Sequence, residues 1–548
     1  MDLVLRNAHL FDGTGSPGRV TDVGVLDGKV AAIGDVAAGD EEVDLDGLVL
    51  APGFIDPHTH YDAQVLWDRD LTPSCWHGVT TVIMGNCGFG IAPTRAADRE
   101  TIMRTLENVE GMPFAALSEG IPWDFTTFPE YLDAIESGPI RLNVAAMLGH
   151  TPLRTFVMGG DASERAATAA EIATMADLVS EALSAGAVGF SSSRSETHLG
   201  AYGRPVPSRL ATRAELQTLV GVLGSRRRGT FEATWGPDFF VEEFAELAAE
   251  VDRPITWAAL LSIAGNPDWA NSLTERSLAS EGTVHPQIAC RPIVVQVTLA
   301  DPSPLANVTG FDRVLELPRE RRAELYADPE WRREARRSVR ERWGDKLDQA
   351  TIDESSLHAE MVGGLTLSEI GRTRGGVDSF DVMLDLAIAE NLETRFRVVM
   401  INDDEDQVAE LLQQPRFLLG LSDAGAHTSQ LCDANYATYL LGYWVRERGV
   451  LTLEEAVRKL TSHPAEVYGI VGRGVVAVGA WADLVVFDPS EVGAGPAVRV
   501  TDLPGGADRL VSPSVGIRHI WVNGEPIRRD GDDLAERRPG RVLRDHAS

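Results

Sequence analysis

His58 and His60, separated by a single residue, are the first side chains whose spacing indicates chemistry. They follow an apolar run at residues 48–55 and the acidic Asp56. Side chains two positions apart on a β-strand point to the same face, so both imidazoles can converge where the strand leaves a core. Neutral imidazoles are common ligands of zinc and other divalent metals. The spacing therefore predicts a pair of metal ligands, and the alternative is a surface turn that happens to contain two histidines.

Composition and charge narrow the classes of partner. The chain has 548 residues, 44% of them hydrophobic, and its 50 Lys and Arg against 82 Asp and Glu give a net charge of −32. This excess argues against nucleic acid and anionic membranes, because phosphate binding depends on clustered cations. No apolar run approaches the roughly 18 residues of a membrane span, and the four cysteines form no CxxC pair. We expect a cytoplasmic protein that acts on a small molecule, and homo-oligomerisation stays open.

The order of apolar and polar segments predicts an α/β fold. Short apolar strands alternate with helical segments through the middle of the chain, which is typical of a parallel sheet covered by helices. A span of about 400 residues with polar residues just after the strands favours a (β/α)8 TIM-like barrel. Strand candidates lie at residues 80–84, 142–148, 188–190, 255–258, 396–400 and 417–421.

Both ends of the chain contain only short strands separated by Gly and Asp turns, and neither end has enough apolar surface to be stable alone. We therefore expect one small β-domain formed by both chain ends. The predicted boundaries are 1–50 and 471–548 for its two parts and 51–470 for the barrel. A charge-dense helical stretch within about 263–360 predicts an insertion in the barrel.

Five stretches extend the histidine pair into a recognisable pattern: 52–60 (PGFIDPHTH), 78–88 (GVTTVIMGNCG), 189–194 (GFSSSR), 421–427 (LSDAGAH) and 479–488 (GAWADLVVFD). With them the chain resembles the amidohydrolase superfamily and, within it, the N-acyl-D-amino-acid deacylase (D-aminoacylase) group. The resemblance implies a metal-dependent hydrolase acting on a carbon–nitrogen bond.

The resemblance also implies roles for two further residues. Cys87 matches the family's metal-ligating cysteine, although a buried cysteine is often only a small hydrophobe. Asp423 matches the catalytic aspartate, which contacts the metal, takes a proton from the attacking water and passes it to the leaving nitrogen. Its alternative role is to cap the next helix. We expect one zinc ion per subunit, held by His58, His60, Cys87 and Asp423, and leave another divalent metal open.

The chain also departs from the family. The family usually has two further histidine ligands after the fifth and sixth strands, but residues 230–236 and 254–258 contain none. Other branches place a carboxylated lysine on the fourth strand, where this chain has serines at 191–193. These departures argue against the usual two-metal site, and a degenerate, non-catalytic homologue stays open.

Polar residues near other strand ends are candidates for binding substrate. A guanidinium can hold a substrate carboxylate through a bidentate pair, and Asp56 is a candidate partner for a histidine ligand. Each of these residues has a structural role as its alternative. The expected substrate is an N-acyl amino acid, with D-configuration implied only by the resemblance; a cyclic amide, a carbamate or another amide is the alternative. The predicted substrate contacts are His150, Arg194, His198, Arg291 and His427.

Overall fold

The computed structural model describes residues 1–280, 283–305 and 308–546. The chain divides into two compact units. The first contains residues 1–291, 405–428 and 432–548, and the second contains residues 292–404 and 429–431.

Eight parallel strands in the first unit form a TIM-like barrel, as predicted. Neighbouring strands pair in chain order. The first and last strands meet just beyond their ends, where the amide of His60 donates to the carbonyl of Ala424 at 2.7 Å and that of Asp423 to His58 at 3.2 Å. The strands are Phe54–Asp56, Val79–Met84, Asn143–Gly149, Gly189–Ser193, Thr230–Thr234, Ile255–Ala258, Val284–Ile288 and Leu418–Leu419.

The barrel strands are buried almost without interruption because helices cover their outer face. All six residues of Val79–Met84 and all seven of Asn143–Gly149 are buried. Threonine caps begin several of the helices, for example Thr168, whose side chain accepts from the amide of Glu171. The helices of this unit are Arg99–Glu110, Phe114–Gly120, Phe128–Glu136, His150–Met158, Ala169–Ala185, Arg213–Arg226, Val241–Val251, Pro267–Ala279, Glu405–Leu412, Tyr436–Tyr439, Leu440–Glu447, Leu453–Leu460 and Ser462–Tyr468.

Both chain ends join in one nine-stranded sheet, which confirms the predicted small β-domain. The junction is the antiparallel pairing of Val49–Pro52 with Leu484–Phe487, which places Pro52 opposite Leu484. The other strands are Leu3–Leu10, Arg19–Leu26, Lys29–Gly34, Glu41–Asp44, Ile517–Val522, Glu525–Arg529 and Asp532–Asp533. Two further pairs are Gly493–Ala494 with Ser514–Val515 and Val498–Val500 with Arg509–Val511.

The second unit has its own core around a three-stranded antiparallel sheet. The strand order is Ile293–Thr298, Arg395–Ile401, Thr351–Glu354. The apolar run at 396–400 lies in the central strand of this sheet, so its prediction as a barrel strand was wrong; a short apolar run does not reveal its sheet. The helices are Phe311–Leu315, Arg319–Ala327, Pro329–Trp343, Leu367–Thr373 and Ser379–Ala389.

The charge-dense stretch of this unit is helical, and its apolar residues form one face. Trp331, Val339 and Trp343 of Pro329–Trp343 are buried in the core of the second unit. The insertion predicted at about 263–360 overlaps this unit in part, and the predicted domain boundaries stay predictions. Within the described ranges, the helices are too short or too polar to cross a membrane.

Candidate metal centre

The four predicted metal ligands come from three barrel strands and meet at the carboxyl ends of those strands. His58 and His60 follow the first strand, Cys87 the second and Asp423 the last. The carboxyl ends of barrel strands are where barrel enzymes build their active sites, because the loops there converge on one face. The chain order of the strands therefore brings together residues that are more than 300 positions apart.

The predicted ligand atoms lie in two overlapping groups that share His60, one with His58 and Cys87 and the other with Asp423. His60 Nε2 lies 3.1 Å and His58 Nε2 lies 3.6 Å from Asp423 Oδ1. Cys87 Sγ lies 3.4 Å from His58 Nε2. The donor atoms of His58, His60 and Cys87 all lie within 4.8 Å of one another. Two imidazoles, a thiol and a carboxylate are a donor set that suits zinc, so the residues present fit the metal that the sequence predicts.

Glu110 is a carboxylate of this site that the sequence did not reveal. It is the last residue of the helix Arg99–Glu110, is almost fully buried, and places Oε2 3.5 Å from His60 Nε2. Glu110, His60 and Asp423 form a second possible ligand triad. A glutamate before a helix-ending glycine is ordinary in sequence, so no spacing indicated its role.

Gln287, on the seventh strand, sets the tautomer of His58. Its Oε1 lies 2.6 Å from His58 Nδ1, and its Nε2 donates to Thr256 Oγ1 at 3.0 Å. With its Nε2 donating to the threonine, Gln287 presents Oε1 to the histidine as an acceptor, and Nδ1 of His58 carries the proton in this arrangement. His58 Nε2 is left with a lone pair on the side of Cys87 and Asp423, as a metal ligand requires.

Glu232, on the fifth strand, is the third functional candidate that sequence reasoning missed. Its side chain is fully buried, and its Oε2 accepts a 2.7 Å hydrogen bond from the Cys87 amide. A glutamate between the apolar Phe231 and Ala233 of a buried strand is itself an unusual signal.

Cys87 and Asp423 adopt backbone conformations that non-glycine residues seldom adopt. Their φ angles are +55° and +52°, and that of His427 is +49°. Aspartate tolerates this left-handed region, whereas cysteine adopts it at a cost. Such conformations cluster at functional sites, where the surrounding structure holds them in place.

Burial and neighbouring charges shift the ionisation of the cluster. Burial and the adjacent charge of His60 lower the pKa of His58 to about 4, so His58 is neutral at neutral pH. Burial raises the pKa of Glu110 to about 7 and, together with the Glu232 charge, that of the Cys87 thiol to about 12. Burial opposes ionisation of Asp423, but its hydrogen bond to His60 and the nearby histidine charges outweigh burial and hold its pKa below the usual range.

Two of the predicted substrate contacts lie beside this cluster. The His198 ring packs on Phe89 with centroids 5.3 Å apart, and its Nδ1 lies 2.7 Å from Ser193 Oγ. Burial and the charges of His60 and His427 lower the pKa of His198 to about 3. His427 donates its amide to the carbonyl of Glu110 at 2.5 Å. The pKa values of both histidines therefore depend on the charges of His60 and Asp423.

The other three predicted contacts are occupied by protein partners. His150 is fully buried, with Nδ1 2.9 Å from Ser192 Oγ and Nε2 3.0 Å from Glu215 Oε1. The Arg194 guanidinium donates to three backbone carbonyls at residues 208, 209 and 211. Arg291 pairs with Asp433 at 3.4 Å and lies over the Tyr439 ring. Asp56 accepts from the backbone amide of His58, at 3.3 Å, and not from its ring.

Comparison with known proteins agrees with the resemblance. The amidohydrolase family model matches residues 41–287 and 333–528. Two relatives from Alcaligenes xylosoxydans xylosoxydans are D-aminoacylase, 31% identical over 99% of this chain and 97% of its own length, and N-acyl-D-glutamate deacylase, 32% identical over 100% and 97%.

A crystal structure of N-acyl-D-glutamate deacylase from Bordetella bronchiseptica is also similar. That enzyme is complexed with zinc and a phosphonate inhibitor that mimics the tetrahedral intermediate. It is 29% identical, the TM-score is 0.67, and the match covers 100% of both chains. This chain belongs to the amidohydrolase family, and it is a hydrolase of carbon–nitrogen bonds other than peptide bonds.

Proposed function

We propose that this protein is a zinc-dependent deacylase that hydrolyses the amide bond of an N-acyl-D-amino acid. The observation that carries the proposal is the position of Asp423. Its Oδ1 lies 3.1 Å from His60 Nε2, and 31% of its side-chain surface is exposed, against 1% for His58 and 2% for His60. A carboxylate that touches both histidines and still reaches solvent can exchange protons with water and substrate.

The relatives support the substrate class. D-aminoacylase and N-acyl-D-glutamate deacylase match this chain over nearly its whole length at just over 30% identity. The bound phosphonate of the Bordetella bronchiseptica enzyme mimics a tetrahedral intermediate. Such an intermediate forms when water adds to an amide carbonyl, which is the reaction that we assign to this chain.

His58, His60, Cys87 and Asp423 would hold a single zinc ion. When bound, zinc polarises a carbonyl and lowers the pKa of water to about 7. Gln287 keeps a proton on His58 Nδ1 and so leaves Nε2 free. Burial of both imidazoles excludes competing water from their ring nitrogens.

Asp423 would move the proton of the reaction. Its carboxylate takes a proton from the attacking water as the oxygen adds to the amide carbon. When the carbon–nitrogen bond breaks, Asp423 returns the proton to the departing nitrogen, and the products are a carboxylate and an amine. A pKa held below the usual range keeps Asp423 ionised at neutral pH, so its carboxylate enters the reaction without a proton. His198 and His427, at the edge of the cluster, are the proposed substrate contacts.

A small substrate panel tests the proposal. N-acetyl-D-glutamate, N-acetyl-L-glutamate, N-acetyl-D-leucine and the cyclic amide hydantoin are incubated with zinc-loaded protein and with protein stripped by a chelator. We expect amine release from at least one D-enantiomer, little from its L-counterpart, and loss of turnover on chelation that zinc restores. Hydrolysis of hydantoin alone would favour the cyclic-amide alternative. Zinc-loaded protein that turns over none of the four would contradict the proposal.

A further inference from the structure

Glu232 points into the barrel among the metal-site residues. It lies within the strand Thr230–Thr234, whose side chains alternate between the two faces of the sheet. Its neighbours Phe231 and Ala233 pack in the apolar core, and the Phe231 ring stacks on Phe190 with centroids 5.9 Å apart. Glu232 therefore faces the barrel interior, where burial raises the pKa of its carboxyl to about 8.

Only one oxygen of this carboxylate has a partner. Oε2 accepts the 2.7 Å hydrogen bond from the amide of Cys87. Oε1 is buried and, among the described residues, has no hydrogen-bond partner. An unpaired buried carboxylate oxygen is destabilising, because it has lost its water partners without gaining others. A bound group that pairs with this oxygen would account for its presence.

A purely structural role does not account for the residue. Accepting the amide of Cys87 needs one oxygen and no charge, and a glutamine would do the same at lower cost. The second oxygen is not needed for that bond, and once ionised it brings negative charge into an interior that already contains the carboxylates of Glu110 and Asp423. A further buried carboxylate is stable where a cation compensates it.

We infer that Glu232 is a ligand of the metal, contributed by the fifth barrel strand. The inference rests on the proposed function, which supplies the metal. Oε2 holds the amide next to Cys87 Sγ in place, and Oε1 is the donor atom. The metal would then be held by residues from four barrel strands, and His58, His60, Cys87 and Asp423 would not complete its ligand set alone.

The test is metal binding by Glu232→Gln. The variant keeps the side-chain shape and an acceptor for the Cys87 amide but removes the anionic donor. Zinc per chain is measured by elemental analysis after gel filtration, and zinc affinity by competition with a chromophoric chelator. We expect the affinity to fall about 100-fold or more, because losing even a residue that only orients a ligand costs 10–100-fold.

A stability measurement separates a ligand from a structural residue. Without metal, Glu232→Gln should melt at or above the wild-type temperature, since an unpaired buried oxygen is gone. Added zinc should raise the melting temperature of the wild type and not that of the variant. The matched control is Glu215→Gln, a fully buried glutamate whose oxygens both pair with Arg154. It should lose stability without metal and keep its zinc.

Two outcomes are decisive and differ from each other. If folded Glu232→Gln keeps the wild-type zinc content and affinity, the inference about Glu232 is overturned while the proposed function stands. The same holds if Glu232→Gln is less stable than the wild type without metal but its melting temperature rises normally with zinc. Wild-type protein that binds no zinc would instead overturn the proposed function, and the inference with it. Should Glu232→Gln not fold, Glu232→Asp, which retracts the donor oxygen, is expected to show the same loss of zinc.

Discussion

Gln287 decides which nitrogen of His58 is free to bind a metal. Its amide donates to Thr256 and accepts a hydrogen bond from Nδ1 of His58, so the lone pair on Nε2 faces the site. The same imidazole without an oriented partner would exchange between tautomers and rotate. The site thus depends on a residue that never touches the metal.

Gln287→Leu should weaken zinc binding about 10–100-fold, the usual cost of removing a partner that orients a ligand. Chelator competition measures the affinity. Gln64→Leu is the control, because Gln64 is equally buried and hydrogen-bonded, to Asp68 and the carbonyl of Thr72, away from the histidines. Equal zinc affinity in the two variants would show that Gln287 has no orienting role.

At the scale of residues, the sequence predicts candidate ligands but not the residues that support them. His58 and His60 share a strand end, and Cys87 and Asp423 stand in recognisable motifs. Gln287 and Glu110 contact the histidines only because the barrel brings distant segments together. No local spacing encodes those contacts, so the sequence could not predict them.

Among the elements, the closure between the first and last barrel strands positions two of the predicted ligands at once. Asp423 donates its amide to the carbonyl of His58, and Ala424 accepts from the amide of His60. Gly425 makes this approach possible: its φ is +97°, and a β-carbon there would lie 2.5 Å from the carbonyl oxygen of His60. A side chain at this position must therefore displace the backbone at His60.

Gly425→Ala is therefore expected to lower both zinc content and stability. Gly479→Ala is the matched control, with φ of +92° and no atom within 4 Å of the added carbon. Both variants carry the left-handed strain of about 1–2 kcal/mol, but only the first adds a backbone clash. Denaturant unfolding and elemental analysis report the difference. A Gly425→Ala variant that behaves like the control would refute the positioning role of the closure.

The sequence predicts which segments are strands better than it predicts which strands pair with each other. The apolar runs at 80–84 and 142–148 are barrel strands because both their faces are covered. The run at 396–400 looks the same in sequence but pairs in the antiparallel sheet of the second unit. Apolarity reports burial, and burial alone does not say which sheet a strand joins.

Over the whole molecule, the C-terminal part of the small β-domain and the barrel of the first unit share a buried polar network. Asp483 forms an ion pair with Arg473 and accepts from the amide of Asn523 at 2.7 Å and from Asn143 Nδ2 at 3.1 Å. Asn143 begins a barrel strand, whereas Asp483 and Asn523 belong to the small β-domain. That both ends form one domain could be predicted because neither end has enough apolar surface for a core of its own. The network that joins this domain to the barrel could not be predicted, because its residues are far apart in the sequence.

Asp423→Asn, made in the whole protein, tests most directly whether Asp423 transfers the proton in a zinc-dependent amide hydrolysis. Asparagine keeps the shape and a donor oxygen but cannot accept the proton of water. The measurement is kcat on the best N-acyl-D-amino acid of the panel, with zinc content and the far-ultraviolet circular dichroism spectrum taken on the same sample. We expect kcat to fall by about 10²–10⁴-fold or more while zinc and fold are retained. Wild-type turnover by zinc-loaded, folded Asp423→Asn would contradict the claim.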